Sequence, residues 1–575
     1  MAEIKLIPYG ISDFKQVRKE NKYYSDKTMF LERMERAGNF LFLVRPRRFG
    51  KSIFLSMMRC YYDVNEAGNF DELFAGLYVH EHPTEERGKF QVLYLDFSQV
   101  GGDSKTARER FEAYGCSALD RFAMNYGRFY DEDIAADVKA IKTFAGKLTW
   151  IAGAARAAGY RLYLIIDEYD NFTNNILNQE GERIYHDLTH ATGFYRDVFK
   201  LFKPNFSRIL MMGVLPVTLD DLTSGYNIAT NISLDSEFNT MLGFSEEEVR
   251  QMIRYYQGVG MVKADEDALL ADMKPWYDNY CFSEESLGNA PKMFNSDMVC
   301  YYLGYYIRHG CPPKSHVDPN TKTDYKKLKN LVRIDRLDSR RLDIIHNVAA
   351  QGFTIGNINS SFPAEQMADE ENFVSLLYFY GMLTITGVRG ARLLLGIPNN
   401  NTRLQYYEYL RQEYERTAAV DTKALQDAFD AAAFNGNWRP LVETITDDYR
   451  ANTSVRSLAE GERNLQGFMS AFLSLNPYYL TAPEVEMAHG YCDFFMLPDH
   501  LRYPEVGHSY ILELKYLKSN ATAAEAQRQW SEAEAQIRRY ATGEALKRLT
   551  YDTRLHLVIV QIKGVELLRA DEVGA

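Results

Sequence analysis

The sequence predicts an α/β chain of several domains: first a parallel sheet layered with helices, then a mostly helical middle, and last a second, smaller α/β domain. Three observations predict it. The loop Arg45 to Ser52 (RPRRFGKS) stands between an apolar run, Asn39 to Val44, and a stretch with apolar residues at helical spacing, Ser52 to Tyr62. Further apolar runs, Phe90 to Phe97, the opening of Arg161 to Phe172 and Arg208 to Val214, alternate with helical segments, the rhythm of strands covered by helices. Between Glu462 and Tyr540 the pattern is helix, hairpin, strand, helix.

Composition sets the outer limits. The 575 residues are too many for one core, and at roughly 150 residues per domain they suggest about four domains. An apolar share of 46% with 25% charged residues is ordinary globular usage. No apolar run approaches the roughly 18 residues that span a bilayer, and no leader pattern opens the chain, so the expectation is no membrane contact and a cytoplasmic location. The six cysteines form no CxxC pair, which argues against a zinc site and a disulfide framework and for buried thiols. A net charge of −12 repels nucleic acid as a whole, so any such contact requires a local basic strip or a bound metal.

Strand, loop and helix around Arg45 to Ser52 are the context of a phosphate-binding loop. Backbone amides from Arg48, Phe49 and Gly50 onward, with the helix N-terminus, offer donors and positive dipole to phosphate oxygens. Lys51 would reach the β and γ phosphates, Ser52 would hold Mg2+, and Gly50 lets the backbone approach closely. The first glycine of GxxxxGK[ST] is replaced by Arg45, followed by Pro46, so the opening turn must be made differently. The strand from Arg161 runs into Asp167 and Glu168, a Walker B pattern in which Asp167 joins the magnesium shell and Glu168 polarises the attacking water. Thr218 is a candidate sensor of the γ phosphate or, equally, a helix cap. Arg47, Arg48 and Arg196 are candidates for neutralising transition-state charge, with ordinary surface ion pairs as the alternative. The nucleotide domain is expected over residues 1–240.

Gly243-Phe244-Ser245 followed by Glu248 reads as a helix start with a capping box. It opens a helical lid, expected over residues 241–340 and carrying Trp276 to Phe282. The polar stretch Asp318 to Arg341, rich in lysine and arginine, is either a solvated surface or a face for nucleic acid. Phe373 to Leu383 reads as an apolar helix, followed by short strands at Leu383 to Thr386 and Arg392 to Ile397. Helix then hairpin suggests a winged-helix-like module in a middle region of residues 341–455.

In the last region, residues 456–575, a hairpin runs from Glu484 to Met487, turns at His489-Gly490 and returns through Cys492 to Leu497, carrying Asp493. In the strand Ser509 to Tyr516, alternation puts Glu513 and Lys515 on one face. Two carboxylates on neighbouring strands can clamp Mg2+ against a scissile phosphate, and a lysine two residues on can orient or deprotonate the attacking water. Glu462, on the preceding helix, could complete the metal shell. An exposed Glu-Lys pair is the plain alternative for Glu513 and Lys515. His489 and His508 lack ligand spacing and read as turn residues.

Together the run Ile7 to Thr28 (IPYGISDFKQVRKENKYYSDKT), the loop RPRRFGKS, the strand LIIDEYDN and the segment Gly213 to Asn227 (GVLPVTLDDLTSGYN) resemble the predicted AAA-ATPase-like proteins joined to a C-terminal nuclease of the PD-(D/E)XK superfamily. The resemblance implies a P-loop NTPase sheet with a helical lid, a helical or winged-helix-like middle and a restriction-endonuclease-like α/β domain. It also implies that Arg45 is a family trait, and that Gln536 and Tyr540 are the QxxxY element of one branch, near the substrate end. The expected function is ATP binding and hydrolysis coupled to a Mg2+-dependent nuclease, with DNA favoured over RNA. The alternatives are a nucleotide-switched binding or signalling protein whose last domain grips without cutting, and an ATPase acting on protein partners.

Overall fold

In the computed structural model, Phe40–Val44 (β1) is extended because its five residues, FLFLV, combine β-branched, aromatic and leucine side chains, and four of the five are buried. The structure describes residues 4–100, 104–171, 194–216, 229–321, 339–362, 366, 369–414, 421–453, 462–487, 490–500, 502–540, 546, 550 and 552–574. They divide into two compact units, one comprising the described residues within 1–321 and 355–400, the other those within 339–354 and 401–575.

The first unit is built on a sheet of β1, Phe90–Asp96 (β2), Arg161–Asp167 (β3), Arg208–Gly213 (β4) and Thr230–Asn231 (β5), in the order β2-β3-β4-β1-β5. Every pairing in it is parallel, so both faces must be covered. Leu41, Leu43, Phe90, Tyr163, Ile165 and Leu210 turn to one face, where Phe54, Leu55, Met58 and Tyr62 of the helix Lys51–Tyr62 pack on them. On the other face alternate strand residues meet the helices Phe144–Ala157 and Phe194–Asn205, which touch edge-on through Phe144 and Phe202.

The expected capping box is present: Ser245 caps Glu248, whose side chain returns to the Ser245 amide, and the helix Glu246–Gly258 starts there. It packs with the helices Glu266–Tyr277 and Ser296–His309 around Ile253, Tyr256, Leu270, Met273 and Tyr302. Two short strands, Phe244–Ser245 (β6) and Met293–Phe294 (β7), pair antiparallel within this group. Phe353–Gly356 (β8), Thr384–Arg389 (β9) and Arg392–Gly396 (β10) form a small sheet ordered β8-β10-β9. The helix before the hairpin ends at Phe379, earlier than expected, because Gly381 takes a left-handed turn (φ 78°).

The second unit ends in a sheet of Tyr479–Met487 (β11), Gly490–Pro498 (β12), His508–Leu517 (β13), Arg554–Lys563 (β14) and Glu566–Glu572 (β15), paired in chain order. Only β13 and β14 run parallel, joined by the helix Ala523–Tyr540. That helix lays Trp530, Ala533, Ile537 and Tyr540 on Phe495, Ile511, Leu557 and Ile559. His508 is the first residue of β13, not a turn residue, and its Nδ1 lies 2.9 Å from His556 Nε2 across the parallel register. The tip expected at His489 and the basic stretch 322–338 lie outside the described residues. Cys60, Cys281, Cys300 and Cys492 are buried as expected, while Cys311 is exposed. Among the described residues no helix is long and apolar enough to cross a membrane.

Candidate active sites

At the end of β1 the loop turns into the helix Lys51–Tyr62 through Arg48 (φ 68°) and Gly50 (φ 86°), two left-handed residues in three. Arg45 explains how the loop opens without its first glycine. Its side chain does not face a ligand; it is 1% exposed, donates to the carbonyls of Val44 (3.0 Å), Ser233 (2.5 Å) and Phe238 (3.0 Å), and lies 4.4 Å over the Phe282 ring. The guanidinium thus fastens the loop from beneath, where its fork satisfies carbonyls that a glycine would leave bare. Pro46 rests on Gly381, where even a methyl group would come within 2.9 Å of it.

Lys51 is buried with its loop: Nζ donates to the carbonyls of Arg45 (3.0 Å) and Pro46 (2.8 Å), and burial pushes its pKa down to about 8. Ser52 Oγ donates to Asp167 Oδ2 at 2.6 Å, joining residues 115 positions apart. Tyr94, on β2, donates to the same carboxylate oxygen at 3.2 Å; an unremarkable tyrosine in an apolar run carries no sequence signal for this place. Burial raises the Asp167 pKa, opposed by the Ser52 hydroxyl and Lys51. Glu168 follows with φ 50°, its carboxyl also raised by burial and held down in part by Arg47. A hydroxyl and a carboxylate in contact, beside a buried ammonium, form an oxygen donor set suited to Mg2+ next to a phosphate.

Two residues expected at the phosphates, Phe49 and Arg48, turn their side chains elsewhere. The Phe49 side chain is 1% exposed and stands edge-on to Tyr280 (4.8 Å) and Phe282 (5.4 Å), so only its backbone faces the loop. Arg48 pairs with Asp297 at 2.9 Å and donates to the Asn320 carbonyl at 2.8 Å, the ion-pair alternative. Thr218 and the side chain of Arg196 lie outside the described residues.

In the second unit the register Phe494 to Leu512 and Phe495 to Ile511 continues to put Asp493 opposite Glu513, so both side chains leave the same face. Asp493 Oδ2 accepts the Leu514 amide at 2.7 Å, and Lys515 Nζ donates to Glu513 Oε1 at 2.7 Å. Glu513 is 1% exposed, and its Oε2 is buried without a hydrogen-bond partner. Burial, then the facing Asp493, push its pKa up to about 7. Burial also raises Asp493. Desolvation works against the Lys515 charge, but Glu513 beside it outweighs that and leaves the pKa raised. Lys515 reaches Gln536 Oε1 at 3.4 Å, and the Gln536 amide donates to the Tyr540 hydroxyl, so both QxxxY residues join the site.

Glu462 is exposed at the first residue of the helix Glu462–Leu473, where its charge helps raise the pKa of both Asp493 and Lys515. One turn further in, on the same helix face, Gln466 Nε2 touches Asp493 Oδ1 at 3.3 Å. Among the described residues no three His, Cys, Asp or Glu side chains gather as a metal cage. The pair Asp493 and Glu513, with one buried oxygen unsatisfied, fits a divalent cation that draws its remaining ligands from water or substrate.

Each site falls inside the span of a family model. Residues 8–223 match the AAA-ATPase-like family, described as a predicted AAA-ATPase, and residues 460–572 match the PD-(D/E)XK nuclease superfamily. An uncharacterized protein in the vnfD 5′ region of Azotobacter chroococcum mcd 1 is 29% identical over 313 residues, 54% of this chain and 55% of that protein. The chain therefore spans about half the length of that curated relative. Among solved structures, the Aeropyrum pernix ORC1 protein in complex with DNA superposes at a TM-score of 0.28 with 8% identity, over 68% of this chain and 93% of that one. The Aeropyrum pernix ORC2 protein in its ADPNP-ADP complexes gives 0.30 with 11% identity, over 67% and 92%. At these scores neither superposition says anything of this chain's ligands. With Lys51, Ser52 and Asp167 inside the first span and Asp493, Glu513 and Lys515 inside the second, the chain joins an AAA-ATPase-like domain, residues 8–223, to a domain of the PD-(D/E)XK nuclease superfamily, residues 460–572.

Proposed function

We propose that the chain binds and hydrolyses ATP in its first unit and, under control of that nucleotide, cleaves nucleic acid in its second, with DNA favoured over RNA. The observation that carries the ATPase reading is the contact of Ser52 with Asp167 beside Lys51. When ATP enters, Lys51 leaves the two loop carbonyls for the β and γ phosphates, and the loop amides and Gly50 take the remaining oxygens. Mg2+ held by Ser52 and Asp167 would neutralise phosphate charge, and Glu168 would orient the attacking water.

The nuclease reading is supported by Asp493 facing Glu513 with Lys515 hydrogen-bonded to it. Mg2+ at the two carboxylates would supply Lewis-acid stabilisation of a phosphodiester. Lys515 would then exchange its hold on Glu513 for the attacking water, while Gln466 keeps Asp493 in place and Gln536 and Tyr540 border the substrate. The domain boundaries that accompany this reading are 1–240 for the nucleotide domain, 241–340 for the lid, 341–455 for the middle and 456–575 for the nuclease-like domain. One observation favours the second reading, a nucleotide-switched protein that grips without cutting: Lys515 already compensates Glu513. The readings part in one experiment, measuring ATP turnover and cleavage of single-stranded DNA, double-stranded DNA and RNA with Mg2+. Lys51→Ala abolishes turnover, Asp493→Ala and Lys515→Ala abolish cleavage, and Lys51→Ala also changes the cleavage rate. Cleavage indifferent to ATP and to Lys51 removes the coupling, and binding without any cleavage favours the second reading.

A further inference from the structure

Glu168 holds an uncommon position. Its backbone is left-handed at φ 50°, a conformation that crowds the Cβ against the following carbonyl and that residues other than glycine rarely adopt. Its carboxylate has no hydrogen-bond partner among the described residues; only its backbone is tied, through its amide to Asp167 Oδ1 (3.0 Å) and its carbonyl to the Asn171 amide (2.9 Å). The direction of the side chain is therefore set by whatever holds the turn.

The next two residues hold it. The Tyr169 amide donates to the Met212 carbonyl (3.2 Å) and its hydroxyl to the Leu215 carbonyl (2.5 Å), while the ring stands edge-on to Phe42 of β1 at 5.9 Å. Asp170, 2% exposed, accepts the Val214 amide on both oxygens (3.1 and 3.2 Å) and the Leu215 amide on Oδ2 (2.8 Å). Between them lies Gly213, the last residue of β4, where a methyl group would collide with both the Tyr169 ring and the Asp170 carboxylate. Strain of this kind persists only where surrounding contacts over-determine it. Five hydrogen bonds and a glycine that admits no side chain do so here.

We propose that Tyr169 and Asp170 are positioning residues for Glu168: they clamp the turn after β3 to the end of β4 and so fix where the carboxylate stands. The proposal rests on Glu168 acting in ATP hydrolysis. It also makes the exit of β4 and the turn one mechanical piece, so a shift at residues 213–215 moves Glu168.

The test compares Tyr169→Phe, Asp170→Asn and Glu168→Gln, singly and in pairs, in the full-length protein. Turnover and the affinity for Mg-ATP, read with a fluorescent analogue, are measured separately. Tyr169→Phe and Asp170→Asn each lower kcat about tenfold and leave affinity within about threefold, and neither lowers the residual rate of Glu168→Gln further, as expected for groups acting as one unit. The clamp is overturned if its losses multiply with that of Glu168→Gln, or if affinity falls in step with kcat. Should Asp170→Asn not fold, Tyr169→Phe, which removes one hydroxyl, decides alone. If Glu168→Gln turns over ATP at the wild-type rate, the role of Glu168 fails first and the clamp falls with it.

Discussion

Arg45 shows how far a single side chain can depart from what its motif suggests. A charged residue at the head of a phosphate loop invites an electrostatic role, yet the guanidinium is spent on three carbonyls and an aromatic ring. Restoring the motif's usual glycine is therefore expected to harm the fold: Arg45→Gly should lower the stability of the first unit by about 3 kcal/mol, measured by urea unfolding, because charge-assisted hydrogen bonds vanish and buried carbonyls lose partners. His346 offers a second residue-scale expectation, with a definite sign. Burial pushes its pKa down from 6.5 to about 4. Below about pH 6.5 the unfolded chain takes up a proton that the folded chain refuses, so stability is lost as pH falls, by about 2 kcal/mol at pH 5. Urea titrations of the wild type and His346→Gln between pH 5 and 8 should show the variant losing about 2 kcal/mol less than the wild type at pH 5.

At the scale of elements, β13 carries a conflict between packing and chemistry. Most of its residues are buried, and a strand so placed is usually apolar, yet Glu513 sits in it with one oxygen unsatisfied. Glu513→Gln should therefore end cleavage while leaving the metal-free domain as stable or more stable, by about 1 kcal/mol at pH 8, in paired activity and unfolding assays. Much of this element was legible in advance. Period-two alternation puts Glu513 and Lys515 on one face whatever the rest of the chain does, and the hairpin carrying Asp493 could only return beside it. Gln466 was not legible, because a glutamine on a helix has no chemical signature until the facing strand is known. The same holds for Tyr94, for the pairing of His508 with His556, and for Arg45, whose partners Ser233 and Phe238 lie 188 and 193 residues away. Local patterns survive translation into structure; partnerships across hundreds of residues are invisible to spacing.

The whole molecule comprises two compact units, each with its own core and site. Calorimetry should accordingly resolve two transitions, since chains of several domains rarely unfold as one. ATP with Mg2+ should raise the transition of the first unit alone, by binding linkage. Lowering the pH from 7 to 5 should act on the second with opposed signs. Burial lowers the pKa of His346, His508 and His556, which costs stability, and raises that of Glu513 to about 7, which adds it. Glu513→Gln should therefore lose more stability over this range than the wild type. A single transition insensitive to nucleotide would contradict both expectations.

The anchoring of the phosphate loop has a kinetic corollary. With Arg45 bolted below, Pro46 wedged on Gly381 and the Phe49 ring locked among aromatics, the cradle has its shape before any guest arrives. One ammonium, that of Lys51, has to swing away from its own carbonyls. Capture then requires a rotamer change in place of loop closure, so little conformational freedom is surrendered on association, and the loop is as ready for the next molecule as it was for the last.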